Sequence, residues 1–278
     1  MTTSVEIDQI RDNIFEELSQ TQFACSSLTR LSGGTANFVY RGKLVSTDDS
    51  IIIKHAKDYL ASNTSFKLDI TRCVSTILWN IMDFGHILIS SQDHETAILR
   101  ALDSLPPYSK DDIMVKTPRL FYFDQESHTQ VLEDLPNSLD LKTFLISESN
   151  SLSKSSGLSI GRALGSWLRS LHNWATENEQ AALTGILRQN KSMQQIKFYA
   201  NYTLLVESIE NFPTLLEGSR SVFNQVRDLA AAELEEQGHS DEYGIIQGDF
   251  WTGKYVDAEP FSFPPPFFFS LCAQMSEY

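Results

Sequence analysis

Residues 245–254 read Ile245-Ile246-Gln247-Gly248-Asp249-Phe250-Trp251-Thr252-Gly253-Lys254. Two isoleucines followed by a glycine and an aspartate describe a strand running into a loop that presents a carboxylate. An aspartate so placed can accept or orient a hydroxyl proton during phosphoryl transfer. A Gly-Asp pair alone is an ordinary turn, so the meaning of Asp249 depends on what precedes it.

Three earlier features stand in the order that such chemistry needs. Ile51-Ile52-Ile53-Lys54 is a buried-type strand ending in a lysine. A strand that apolar holds an ammonium where the charge has a partner, a carboxylate or a phosphate; the plainer reading is a lysine at a strand end reaching water, as for Lys57. Glu95 opens a helical pattern (Ala97, Ile98, Leu99, Leu102) and is the candidate partner of Lys54, although a surface glutamate is the commoner case. His94 beside it is expected in solvent. Upstream, Ser32-Gly33-Gly34-Thr35-Ala36-Asn37 separates two short strands within Leu31–Val45. Consecutive glycines let backbone amides come close to a phosphate, and they also make simple hairpin turns.

Taken together, the segments LSGGTANFVYRG (31–42), IIIKHA (51–56), ETAILRAL (95–102), VLEDL (131–135) and QGDFWTGK (247–254) resemble the aminoglycoside phosphotransferase and choline kinase-like family, especially its fungal members. They occur in the family's order and span nearly the whole chain. The resemblance implies an α+β, protein-kinase-like two-lobed fold with a β-rich N-lobe and a helical C-lobe, binding ATP and Mg2+ in the cleft. It implies that Ser32, Gly33, Gly34, Thr35 and Asn37 cover the phosphates, and that Lys54 contacts them while paired with Glu95. Glu133 and Leu135 would meet the adenine through backbone groups, and Asp249 would be the catalytic base.

The match breaks in three places. The family's catalytic-loop histidine is Gln247, and its metal-binding asparagine is Lys254. A protonated ammonium has no lone pair for a cation and repels it, so no metal ligand set is intact. The second metal-binding aspartate, which belongs to an I-D-W-E-like strand further on, is missing; Asp257 lies only eight residues after Asp249, too near to replace it. The family's remaining C-terminal helices are absent, so the C-lobe is expected to be incomplete. In their place stands Phe261–Ser270, FSFPPPFFFS, which no amphipathic period explains. Its codons can be nearly all pyrimidine, and Lys254-Tyr255-Val256 can be encoded with a GTATGT splice donor, so 255–278 reads as an aberrant tail from a retained intron. Residues 74–92 read as an insertion or a second retained intron, with Val74-Ser75 able to encode GTAAGT and Gln92 able to encode CAG. Asp83-Phe84-Gly85 within it lies on the wrong side of the catalytic loop to act as a kinase D-F-G motif.

Composition narrows the rest. The chain has 278 residues, with 36 Asp+Glu against 22 Lys+Arg, a formal charge of −14. That balance argues against a general nucleic-acid binder. It suits a cationic small-molecule acceptor, or equally an acidic surface that favours solubility. Cys25, Cys73 and Cys272 offer neither a disulfide framework nor zinc spacing, and the histidines show no ligand spacing either. No signal-type segment opens the chain, and the most apolar stretch, Ser75–Ser90, carries Asp83 and His86; a cytoplasmic protein without a membrane span is expected.

The expected layout is a nucleotide-binding N-lobe over 1–134, with a helix at Val5–Leu18 and a strand pair at Arg119–Phe123 and Thr129–Leu132. A helical C-lobe with the catalytic loop follows over 135–254, with helices at Asp140–Ile146, Ser159–Trp174, Ile186–Glu210 and Ser219–Gln237. Ser147–Ser159 is read as a serine-rich linker. Three functional readings follow: an ATP-dependent small-molecule phosphotransferase impaired in this chain, a pseudokinase that binds nucleotide or a partner, and an unstable truncated product.

Overall fold

Helix α1 (Ser4–Ser19) places Ile10, Ile14 and Leu18 on one stripe four residues apart, and all three are buried. Phe15, one position from Ile14 and hence about 100° around the helix, is 40% exposed instead of joining that stripe. The computed structural model describes residues 4–31, 37–61, 63–67, 91–110, 113–136, 138–148, 152–235, 245–247, 255–257, 267–270 and 275–277.

The stripe of α1 packs on an antiparallel sheet. Its strands are β1 (Cys25–Arg30), β2 (Phe38–Leu44), β3 (Ser50–His55), β8 (Leu120–Asp124) and β9 (Thr129–Glu133), in the order β1-β2-β3-β9-β8. Alternation decides which residues meet the helix: Phe38 and Tyr40 of β2, Ile51 and Ile53 of β3 and Val131 of β9 join Ile10, Ile14 and Leu18 in one core cluster. The first strand lies at Cys25–Arg30, before the Leu31 start that the apolar pattern indicates. It is a sheet-edge strand with only Cys25 buried, so its sequence carries no alternating apolar signal.

Gly42 sits where β1, β2 and β3 crowd together. A Cβ there would lie 2.5 Å from Cys25 Sγ and 2.8 Å from Ile53 Cδ1. Gly42→Ala is therefore expected to destabilise the chain by about 1–3 kcal/mol through overpacking, read as a lower urea midpoint.

A β4–β5 hairpin (Tyr59–Leu60, Asn63–Lys67) follows β3, and helix α2 runs from Ser91 to Leu102. The antiparallel pair β6–β7 (Tyr108–Lys110, Ile113–Lys116) is only three and four residues long, too short for an alternating pattern to register in the sequence. Beyond β10 (Ser138–Asp140) come α3 (Leu141–Ser147) and α4 (Lys154–Ala175). Helix α4 begins five residues before the expected Ser159. Ser153 caps it: its hydroxyl accepts the Ser156 N–H at 3.0 Å and its carbonyl the Gly157 N–H at 3.0 Å, so part of the serine-rich stretch is a helical first turn.

The single helix expected over Ile186–Glu210 is several pieces. They are α5 (Ala181–Arg188), α6 (Lys191–Phe198), a π turn (Tyr199–Thr203), α7 (Leu204–Ser208) and a 3₁₀ turn (Ile209–Asn211). Pro213, which lacks an N–H, then opens the short α8 (Pro213–Leu216), and α9 runs Arg220–Glu235. Among the last strands, β12 (Tyr255–Asp257) pairs with β10 and with β13 (Phe267–Ser270), β13 pairs in parallel with β7, and β11 (Ile245–Gln247) pairs with β14 (Met275–Glu277).

Two compact units result. One comprises Met1–Ser170 with Phe250–Ala273, the other Leu171–Asp249 with Gln274–Tyr278. The mixed architecture, with a five-stranded antiparallel sheet and helices, is compatible with a kinase-like fold. Among the described residues no helix is long and apolar enough to cross a membrane.

Candidate functional site

The two faces of β3 carry different chemistry. Ile51, Ile53 and His55 are buried, while Ile52 and Lys54 take the alternate positions. On the Lys54 side lies α2, whose buried Ile98, Leu99 and Leu102 form its apolar stripe. His94, four residues before Ile98, belongs to the same stripe and is buried, not in solvent as the sequence suggested.

Lys54 Nζ pairs with Glu95 Oε1, joining β3 to α2, and both side chains are largely sequestered, at 12% and 13% exposure. A second polar tie runs alongside. Gln130 of β9 stands directly opposite Lys54 in the sheet register, and its amide donates to the Thr96 hydroxyl at 3.1 Å. Adjacent residues of α2 are thus held by residues on two adjacent strands. Gln130 and Thr96 escaped the sequence reading; both are buried polar residues, and the burial of Gln130 among the first four residues of β9 is not recorded in its local pattern.

The opposite face is also polar around His55. Its Nδ1 lies 3.0 Å from Thr129 Oγ1, and the Glu17 carboxylate of α1 accepts the hydroxyls of Ser127 at 2.7 Å and Thr129 at 3.2 Å. Burial pushes the His55 imidazole down to about 4, with Lys57 and His128 adding repulsion, so the ring is neutral at pH 7. The turn before it is fixed by Asp124, whose Oδ1 accepts the N–H groups of Glu126 at 2.8 Å and Ser127 at 3.1 Å. Those bonds, the Ser127 amide first, hold the Asp124 carboxyl below the usual carboxylate range.

At the end of β9 two successive carboxylates are engaged. Glu133 accepts from Lys116 Nζ at 2.5 Å and from the Arg119 N–H at 3.2 Å. Its own N–H donates to the Arg119 carbonyl at 2.9 Å, so any backbone contact of Glu133 with a ligand falls to its carbonyl. Asp134 is met by Arg41 and Ser50. Leu135 follows, half-buried.

Of the sequence-derived site residues, the structure brings Lys54 and Glu95 together and sets Glu133 and Leu135 at the exit of the same sheet. Asn37 is a bend at the start of β2. Ser32, Gly33, Gly34 and Thr35 lie outside the described residues, but the base of their loop does not: the Leu31 N–H donates to the Val39 carbonyl at 2.9 Å. Asp249, Lys254 and residues 74–90 also lie outside the described residues, whereas Ser91 and Gln92, the last two of the 74–92 segment, open α2; of the 245–254 stretch β11 is described, with Ile245 buried. Among the described residues no group of three or more His, Cys, Asp or Glu could hold a metal ion.

No family model matches the chain. A phosphotransferase from a Cladobotryum species, FrzJ, is 34% identical over 260 residues, covering 92% of this chain and 65% of the relative. The 4-hydroxytryptamine kinase of Psilocybe cyanescens is 22% identical over 240 residues (84% of this chain, 58% of the relative). That of Psilocybe cubensis is 21% identical over 239 residues (83% and 57%). The chain thus spans less than two thirds of the length of these curated relatives. Their names support a phosphotransferase or kinase family.

Proposed function

We propose that this chain binds ATP in the manner of the aminoglycoside phosphotransferase type and is directed at the hydroxyl of a small, amine-bearing acceptor. We further infer that, as written, it transfers the phosphoryl group poorly or not at all. The observation that carries the nucleotide reading is the Lys54–Glu95 ion pair between β3 and α2. An ammonium has three donors, so a bond to one carboxylate oxygen is compatible with contact to phosphate, and Glu95 fixes its direction. Loop 32–37 would cover the same phosphates with backbone amides.

Transfer would proceed by attack of the acceptor oxygen on the γ-phosphorus. Asp249 would take the hydroxyl proton, and the bond from the γ-phosphorus to the bridging oxygen would break to release ADP. Magnesium would neutralise charge on the β- and γ-phosphates, but Lys254, where the resemblance calls for an asparagine ligand, cannot supply a lone pair. The residues at this position do not fit the metal. The 36 acidic against 22 basic residues are compatible with a cationic acceptor, and equally with an acidic surface that favours solubility. The two Psilocybe relatives, named for a hydroxylated tryptamine, support an aromatic amine of that kind.

Isothermal titration with ATP, followed by a transfer assay with Mg2+ and 4-hydroxytryptamine, tests this. The expected result is a cooperative melt, saturable ATP binding, and no product above that of Asp249→Asn. Failure to bind ATP would overturn the nucleotide reading, and Asp249-dependent phosphorylation would overturn the inferred impairment.

A further inference from the structure

We propose that Asp134 is a positioning residue for the nucleotide base, acting through the backbone of residues 133–135; this rests on the nucleotide reading above. Its carboxylate is 2% exposed and is met from two strands at once. Arg41 of β2 sets Nε 2.8 Å from Oδ2, an ionic contact, and donates from Nη2 to Oδ1 at 3.1 Å. Ser50, the first residue of β3, donates its hydroxyl to Oδ2 at 2.5 Å. These partners lie 93 and 84 residues away in sequence.

A buried carboxylate is a poor way to gain stability, because desolvation offsets most of the attraction. What the Arg41 Nη2 and Ser50 hydroxyl bonds do supply is direction: donors on different carboxylate oxygens, with the Nε contact beside them, leave the Asp134 side chain little rotational freedom. The neighbouring residue is tied another way. Glu133 accepts from Lys116 of β7 and from the amide of Arg119, just before β8. Pro136 then restricts Leu135 to extended conformations. The chain leaving β9 is therefore held by Asp134 toward β2 and β3, by Glu133 toward β7 and the approach to β8, and by the proline ring ahead.

A segment so constrained presents its carbonyl and amide groups at a fixed spacing. That suits a planar heteroaromatic base, which needs donor and acceptor in one plane and gains affinity when neither must be ordered on binding. Phosphate groups would be held elsewhere, by Lys54 and the loop at 32–37. The clamp thus acts on the base half of the ligand and not on the phosphate half.

The experiment compares ATP with inorganic tripolyphosphate, which has the phosphates and no base, by titration into the full chain. Asp134→Asn is expected to weaken ATP by about tenfold, the loss of a charge-assisted bond, while tripolyphosphate changes less than about twofold. Ser50→Ala removes one donor, keeps the ion pair and should fold; it is expected to weaken ATP by about threefold, again without effect on tripolyphosphate. Should Asp134→Asn fail to fold, Ser50→Ala and Arg41→Lys decide the matter. Equal losses for both ligands, or none for either, would show a purely structural clamp and overturn the assignment. Wild-type chain that binds no ATP overturns the nucleotide reading and the assignment together. Wild-type chain that binds ATP while the variants match it overturns the assignment alone.

Discussion

Lys54→Met is expected to weaken ATP binding by roughly ten- to hundredfold, the value of a charge-assisted bond to phosphate. It should also lower stability, by about 3 kcal/mol, for a separate reason: Glu95, 13% exposed, would be left without the ammonium that Lys54 supplies. The two effects can be pulled apart. In Lys54→Met/Glu95→Gln the orphaned charge is gone, so the thermal midpoint should return most of the way to wild type. Nucleotide affinity should not return, because the phosphate partner is still missing. Titration with ATP alongside a thermal melt reads both. A double variant that regains ATP binding would show that Lys54 acts only by holding α2 against the sheet.

Acidification from pH 7 to pH 4.5 should cost the native state about 2–3 kcal/mol at His55 alone. The direction follows from the shift: the folded imidazole is depressed to about 4, while the unfolded chain takes up a proton near 6.5. Above pH 6.5 neither state is protonated, and the contribution is fully present. Between about 6.5 and 4 only the unfolded chain binds the proton, so stability falls as pH falls through that window and levels off below it. The groups around the ring cannot rescue a charge: Thr129 Oγ1 contacts Nδ1, and Lys57 and His128 are repulsive to the imidazolium. With 36 carboxylates titrating in the same range, the informative quantity is the difference from a variant that cannot titrate. His55→Asn keeps a polar atom near the Nδ1 position, and its urea midpoint should fall less between pH 7 and 4.5. Parallel losses in the two proteins would mean that the imidazole is accessible to protons in the folded state.

The elements that could be read in advance share one property: their signal is local. The spacing of Ile10, Ile14 and Leu18 announces α1, the run Ile51–Ile53 announces β3, and the strand pair around Gln125-Glu126 appears as β8 and β9. What escaped was short, polar or broken. The edge strand β1 has one buried residue, β6 and β7 are three and four residues long, and the run after Ile186 is interrupted by irregular turns. A periodicity argument needs several turns or alternations to register, and these segments do not supply them.

For the candidate site the division is similar. Lys54 and Glu95 could be nominated because each is anomalous or well placed within its own segment. By itself, then, the sequence determined the amphipathic stripe of α1, the buried β3 with its terminal lysine, and the residue types that point to phosphate chemistry, all encoded in neighbouring positions. Only the tertiary structure decided that Gln130 meets Thr96, that Glu17 reaches Ser127 and Thr129, and that Arg41 and Ser50 close on Asp134. Those pairs are separated by 34 to 112 residues, and their meeting depends on strand order and register in the sheet. The physical reason is that a side chain's partner across a sheet is set by which strand lies beside it, and no local pattern of hydrophobicity records that choice.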